Sequence, residues 1–253
     1  MMKKILIALI GLGILAGCAE SSDSASLVAP SGTGIGGSLA RFTILGDFLY
    51  TVDNTRLVTI DISEPEAPEP VDETVVTQGV ETIFPLKDHL LLGTQRGLFI
   101  YRVQSNGVPA YVSSYEHIVS CDPVVANENY AYVTLRAAGC REAAAGAANT
   151  LDIVNIQNIE DPQLVNSFAM ESPYGLGLDG QTLFVCEGIN GLRVFDLSSP
   201  EAPQEIKYLS DINAVDVIPL QGTLLVVGPD RLLQLDYTDL DNITVLSEIT
   251  IGA

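Results

Sequence analysis

The 253-residue chain lacks most of what catalytic and nucleic-acid-binding signatures require. It holds two histidines, and neither Gly-x-Ser-x-Gly nor His-Glu-x-x-His occurs, so the common hydrolase and metalloprotease signatures are absent. Lysine and arginine total 12 against 32 acids, a formal charge of −20. Phosphates and anionic headgroups would repel such a chain, which argues against nucleic-acid partners. The acid excess suits cations, basic proteins or simply solubility. The N-terminal apolar run, Ile5 to Leu15, is too short to cross a bilayer core of roughly 30 Å as a stable helix.

That run follows Lys3-Lys4 and leads into Ala16-Gly17-Cys18 and then small polar residues. A basic start, a short apolar middle and small residues at a cut make a signal peptide over residues 1–17. Leu15-Ala16-Gly17-Cys18 resembles the lipobox of bacterial lipoproteins, which implies cleavage before Cys18 and a lipid on its sulfur. The alternative is a plain secretory signal with an incidental cysteine. Buried acyl chains contribute about 0.8 kcal/mol per methylene, so several make the anchor effectively permanent. Ala19 resembles the sorting pattern that sends such proteins to the outer membrane in enteric bacteria, and other phyla sort differently. Loss of Lys3 and Lys4 takes the charge from −20 to −22. Residues 18–38 include Ser21-Ser-Asp-Ser-Ala-Ser and Gly32-Thr-Gly-Ile-Gly-Gly, too little apolar content to pack, and read as a flexible tether.

The remaining stretch, 39–253, repeats. Phe48-Leu-Tyr-Thr-Val, His89-Leu-Leu-Leu-Gly, Tyr130-Ala-Tyr-Val-Thr, Thr182-Leu-Phe-Val-Cys and Thr223-Leu-Leu-Val-Val start 41, 41, 52 and 41 residues apart. Each is followed by a turn and a second β-branched or aliphatic run, beginning at Leu57, Leu98, Leu151, Leu192 and Leu232, with no helical period in any of them. Prolines in Asp61-Ile-Ser-Glu-Pro-Glu-Ala-Pro and Asp196-Leu-Ser-Ser-Pro-Glu-Ala-Pro fix φ and remove ladder donors, so the strand ends there. An outer strand and the inner strand of the next unit complete each repeat. Four strands in about 41 residues is the size of a propeller blade. The expectation is an all-β, five-bladed β-propeller of four-stranded blades.

Leu192-Arg-Val-Phe-Asp-Leu-Ser-Ser-Pro-Glu-Ala-Pro resembles the LVIVD repeat of exported bacterial propellers. The resemblance runs over residues 39–251 and is clearest in units one and four. Arg102 departs from it in unit two, and unit five lacks the prolines. The family implies a propeller outside the cytoplasm and supplies no activity or functional residue.

Several constellations have structural explanations. Gly175-Leu-Gly-Leu-Asp-Gly180 matches a dinucleotide fingerprint, but a strand follows it where a helix is needed to meet a pyrophosphate. Crowding of inner strands at the axis, then an Asp-Gly turn, accounts for the glycines. Asp61, Asn155, Asp196 and Asp236 stand at a fixed distance before each turn, where their side chains accept local backbone donors; metal ligation is not needed to explain them. His89 and His117 fall on opposite faces of the propeller and cannot share a site.

Inner strands begin on the face where second strands end. That gathers Glu81, Asp122, Tyr174 and Asp216 with Gln95, Arg136 and Glu187 around one axial mouth. Carboxylates there suit a cation, an amine or a sugar, with calcium the candidate ion and no cofactor demanded by any motif. Solvated loop ends without a ligand are the alternative. Unit three adds residues in the loop Arg136–Thr150 on this same face, where longer loops tend to carry function. With Cys18 lipidated, three thiols remain. Cys121 and Cys140 share unit three and face, and are expected to pair; Cys140 with Cys186, or three reduced thiols, are the rivals. The functional expectation is an envelope lipoprotein, on the outer membrane, that binds an envelope protein or small ligand without catalysis. The competing reading is an envelope lyase or hydrolase using Asp122 and Glu81 as acid and base and Arg136 to stabilise an anion.

Overall fold

The computed structural model describes residues 37–76, 79–116, 123–137 and 148–251. Five four-stranded antiparallel sheets form a ring of blades, each with its strands in sequence order from axis to rim. Blade 1 holds β1 (Phe42–Leu45), β2 (Phe48–Val52), β3 (Arg56–Asp61) and β4 (Glu69–Val75). Blade 2 holds β5 (Val80–Leu86), β6 (His89–Thr94), β7 (Gly97–Val103) and β8 (Pro109–Glu116). Blade 3 holds β9 (Val124–Ala126), β10 (Tyr130–Leu135), β11 (Thr150–Asn155) and β12 (Gln163–Ala169). Blade 4 holds β13 (Leu176–Asp179), β14 (Thr182–Cys186), β15 (Leu192–Asp196) and β16 (Gln204–Leu209). Blade 5 holds β17 (Asp216–Leu220), β18 (Thr223–Val227), β19 (Arg231–Asp236) and β20 (Thr244–Thr250).

The turn chemistry read from the repeat is present in the geometry. Asp61 accepts the Ser63 amide at 2.8 Å, Asn155 that of Gln157 at 3.0 Å, Asp196 that of Ser198 at 2.9 Å and Asp236 that of Thr238 at 2.9 Å. Each closes the end of a third strand locally and is spent on that task. Just before it, every blade shifts register between its third and fourth strands: at Thr59/Ile60, Ile100/Tyr101, Ile153/Val154, Val194/Phe195 and Gln234/Leu235. A bulge repeated at one place in the unit bends and twists each outer strand identically.

The middle strands are near-continuous buried apolar runs, and their successive side chains point to opposite faces and fill the seams on either side of each blade. Tyr50, Leu57, Ile83 and Leu90 join blades 1 and 2; Leu91, Ile100, Val133 and Val154 join blades 2 and 3. Ile153, Leu176, Leu183 and Phe195 join blades 3 and 4; Phe184, Val194, Val217 and Leu235 join blades 4 and 5. Hydroxyls latch the same four seams: Tyr50 donates to the Gly107 carbonyl (2.8 Å), Tyr115 to Asp152 (3.1 Å), Tyr130 to Glu201 (2.8 Å) and Tyr237 to Asp179 (2.6 Å).

The fifth seam differs. Among the described residues no buried cluster joins blade 5 to blade 1. The face of blade 1 turned away from blade 2 carries Ile44, 36% exposed, and Phe42, 62% exposed. The face of blade 5 turned away from blade 4 carries Ile218, Leu225 and Leu232, all partly exposed, with Leu220 at 36%. Each blade keeps its own four strands, so no shared strand closes the ring.

Candidate functional site

The axial end at which inner strands begin is crossed by the chain's own entry segment. The Ser38 hydroxyl accepts the Leu176 amide of blade 4 at 2.7 Å and donates to Asp216 of blade 5 at 3.3 Å. The Ala40 carbonyl accepts the Ile83 amide of blade 2 at 3.0 Å. Four residues thus tie three blades together across the axis, and Ser38, placed in the tether from sequence, is buried in the domain. Asp216 sits beneath this strap. Burial pushes its carboxyl up to about 6, against the opposing hydrogen bonds from the Val217, Leu39 and Ser38 amides and the Ser38 hydroxyl. Glycines allow this packing: a Cβ on Gly37 would lie 2.0 Å, and one on Gly175 2.2 Å, from carboxylate oxygens of Asp216. Close approach to an inner strand therefore explains the first glycine of the fingerprint-like run.

The other residues expected at the mouth lie in separate small networks. Glu81 accepts from the Gln95 amide nitrogen at 3.1 Å. Arg136 stacks its guanidinium 4.1 Å from the centre of the Tyr174 ring, and the Tyr174 carbonyl accepts from the Thr134 hydroxyl at 2.6 Å. Glu187 is fully buried and accepts from Arg193 Nε at 2.9 Å and from the Glu171 amide at 2.9 Å. Arg193 also donates to Glu205 at 2.7 Å and lies 4.6 Å over the Tyr208 ring. Burial works against its charge, but the hydrogen bonds to Glu187 and Glu205 outweigh that and hold its pKa above the ordinary arginine value. Arg193, one strand away from the end position that marked Glu187, is the partner that the sequence pattern did not reveal. Asp122, Cys121, Cys140 and His117 lie outside the described residues, as does Cys18. The calcium and disulfide expectations rest on those positions. Cys186 is free and fully buried, and burial raises its thiol well above the ordinary range. His89 is buried, with its Nε2 accepting from Arg102 at 3.3 Å and its Nδ1 2.8 Å from Asp88. Among the described residues no three His, Cys, Asp or Glu side chains converge on a common point.

The open volume lies along the axis beyond the strap. A channel of about 580 Å³ is lined by all five inner strands, with Phe42, Phe84, Ala126, Leu178, Pro219 and Leu220 among its walls. It extends to Asp179 and Gln221, at the end where inner strands turn into second strands. That is the opposite end from the mouth expected from sequence.

The LVIVD repeat family model matches residues 36–72, which run from the strap through the first three strands of blade 1 into the fourth. This chain is a five-bladed β-propeller whose first blade matches the LVIVD repeat. No curated protein sequence matches it. The propeller is similar in structure to a protein from Lactobacillus plantarum, with a TM-score of 0.64 and 13% identity over 83% of this chain and 74% of that one. A functionally unknown protein from Desulfotomaculum acetoxidans gives 0.65 and 13% over 87% and 69%. The periplasmic gluconolactonase PpgL of Pseudomonas aeruginosa gives 0.61 and 13% over 84% and 68%. At such identities the likeness concerns the fold alone.

Proposed function

We propose that the LVIVD propeller is a binding module, held at the outside of a bacterial membrane by lipid on Cys18, that takes up a ligand or partner without transforming it. The observation that carries the reading is how the polar groups at the strapped end are used. Glu81 bonds Gln95, Arg136 stacks on Tyr174, and Glu187 and Asp216 are buried among donors from their own fold. A lyase or hydrolase needs acid, base and anion-stabilising group within reach of one reacting atom, and these side chains are distributed over separate networks. The axial channel and the partly exposed faces of blades 1 and 5 are features that suit binding. The solved structures of similar fold include a gluconolactonase and a protein of unknown function, so fold itself favours no reaction. The Cys18 tether accords with the signal-like N-terminus. Among the described residues no helix is long and apolar enough to cross a membrane.

Crosslinking the lipidated protein in its own membranes, followed by affinity capture and mass spectrometry, tests this. One protein or small molecule should be enriched over a capture with unrelated lipoprotein. Turnover of lactone or ester substrates, lost in Glu81→Gln, with nothing enriched would favour the enzymatic reading instead.

A further inference from the structure

The open fifth seam carries a more specific inference, which deepens the binding reading and rests on it. Leu49 is the second residue of β2, and its counterparts Leu90, Ala131, Leu183 and Leu224 are each fully buried in the seam with the preceding blade. Ile60, opposite Leu49 in the sheet, corresponds to Tyr101, Val154, Phe195 and Leu235, which are buried with them. Leu49 and Ile60 themselves are partly exposed, in one row with Ile44. Across the seam, Val227, Leu232 and Ile249 make a second unburied row on blade 5, with Ile249 57% exposed. Two sheet faces of the kind that meet another sheet elsewhere in the ring therefore stand without one.

The turn after the third strand adds a polar half to each closed seam, because it receives a donor from the preceding blade. The Gly107 carbonyl accepts from Tyr50, that of Ile159 from Ser113, the Glu201 carboxylate from Tyr130, and the Asp241 carbonyl from Lys207. In blade 1 the same turn holds Glu64-Pro-Glu66, and Glu66 follows its proline as Glu201 does. The Glu64 and Glu66 carboxylates are exposed and meet no partner among the described residues. The arginines of β3 and β19 cannot answer them, since Arg56 is paired with Asp53 and Glu73, and Arg231 with Asp230 and Glu248. A second copy would bring its own charge of −20 against these carboxylates, whereas a basic partner is drawn to them. We infer that the seam between blades 5 and 1 takes an extended segment of a partner protein, apolar along its length, with a lysine or arginine that bonds Glu66. Such a segment supplies what the preceding blade supplies in the other four seams: apolar side chains for the Leu49 row and a donor for the turn.

The probe is the fluorescein-labelled peptide Lys-Val-Ile-Val-Thr-Val-Lys-Lys, with a control in which glutamates replace the lysines. Both are titrated, by fluorescence anisotropy, into the protein extracted from its own membranes in mild detergent. Saturable binding is expected for the lysine peptide and none for its control. Glu66→Gln should weaken binding about tenfold, the worth of one charge-assisted hydrogen bond. Leu49→Ser, at a position that is not buried, should weaken it by at least as much, and thermal melting checks that both variants fold. Glu201→Gln, the same change at a closed seam, should leave binding unchanged. No saturable binding overturns the inference, as does binding that the glutamate peptide shares or that Leu49→Ser or Glu66→Gln leaves intact. A concentration-dependent dimer in sedimentation, lost in Leu49→Ser, also overturns it, because a second copy then fills the seam. Membrane capture keeps the two readings apart: a partner enriched equally by the parent and by Leu49→Ser would sustain binding and remove the seam as its place.

Discussion

Ile44 and Ile83 are the same residue type on the inner strands of adjacent blades, yet they answer to different seams. Ile83 is 3% exposed in the cluster between blades 1 and 2, whereas Ile44 is 36% exposed on the face turned towards blade 5. Truncation to alanine removes three carbons from each. At Ile83 the lost transfer energy, about 0.8 kcal/mol per carbon, adds to a cavity that its closed surroundings cannot collapse, giving about 3–4 kcal/mol. At Ile44 about two thirds of the transfer energy is at stake and the space opens to solvent, so the cost is about 1.5 kcal/mol. Inner-strand β propensity is common to both and cancels in the comparison. Urea unfolding of Ile83→Ala and Ile44→Ala, read by circular dichroism, should separate their midpoints by the equivalent of about 2 kcal/mol. Equal losses would refute the reasoning, because they would mean that blades 5 and 1 pack as tightly as any other pair.

Arg193→Met should destabilise by about 3–5 kcal/mol in thermal or urea unfolding, because Glu187 is then a buried carboxylate without its cation. Arg193→Lys should recover only part, since a lysine cannot serve Glu187 and Glu205 with one planar fork. The Asp216 carboxyl is raised to about 6 from 3.8, so it stabilises the fold fully below about pH 4 and that contribution is lost as pH rises through 6. The stability of the parent minus that of Asp216→Asn should therefore fall by about 3 kcal/mol between pH 4 and pH 7, and a flat difference would show that the strap does not bury this carboxyl. Non-reducing peptide mapping of envelope-derived protein should find a Cys121–Cys140 crosslinked peptide and an alkylatable Cys186; a crosslink to Cys186 would exclude that pairing.

The blades were legible because their signal is local and repeated. Phe48, His89, Tyr130, Thr182 and Thr223, picked out by spacing, are the first residues of β2, β6, β10, β14 and β18. The Asx side chains that close the third strands were legible for the same reason, since their amide donors stand two residues away. The site was legible only in part. Position in the repeat singled out Glu81, Tyr174, Glu187 and Asp216, but the partners of these side chains come from geometry that the repeat does not encode. Ser38 meets Leu176 and Asp216 across 138 and 178 residues of sequence, and a serine in a Gly-Ser-rich stretch has no periodicity to announce this. The channel opens at the other end because that strap fills the first. The loose fifth seam was equally hidden. The apolar runs of blades 1 and 5 resemble those of the other blades, and only the ring decides which faces meet.

Tethering and binding can be read together by native mass spectrometry of the protein extracted in mild detergent from its own membranes. The expected species is a chain beginning at Cys18 with the added mass of acyl groups, retaining a small molecule or a partner chain that dissociates at higher activation energy. A chain of unmodified mass with nothing retained would contradict both the lipid anchor and the binding role.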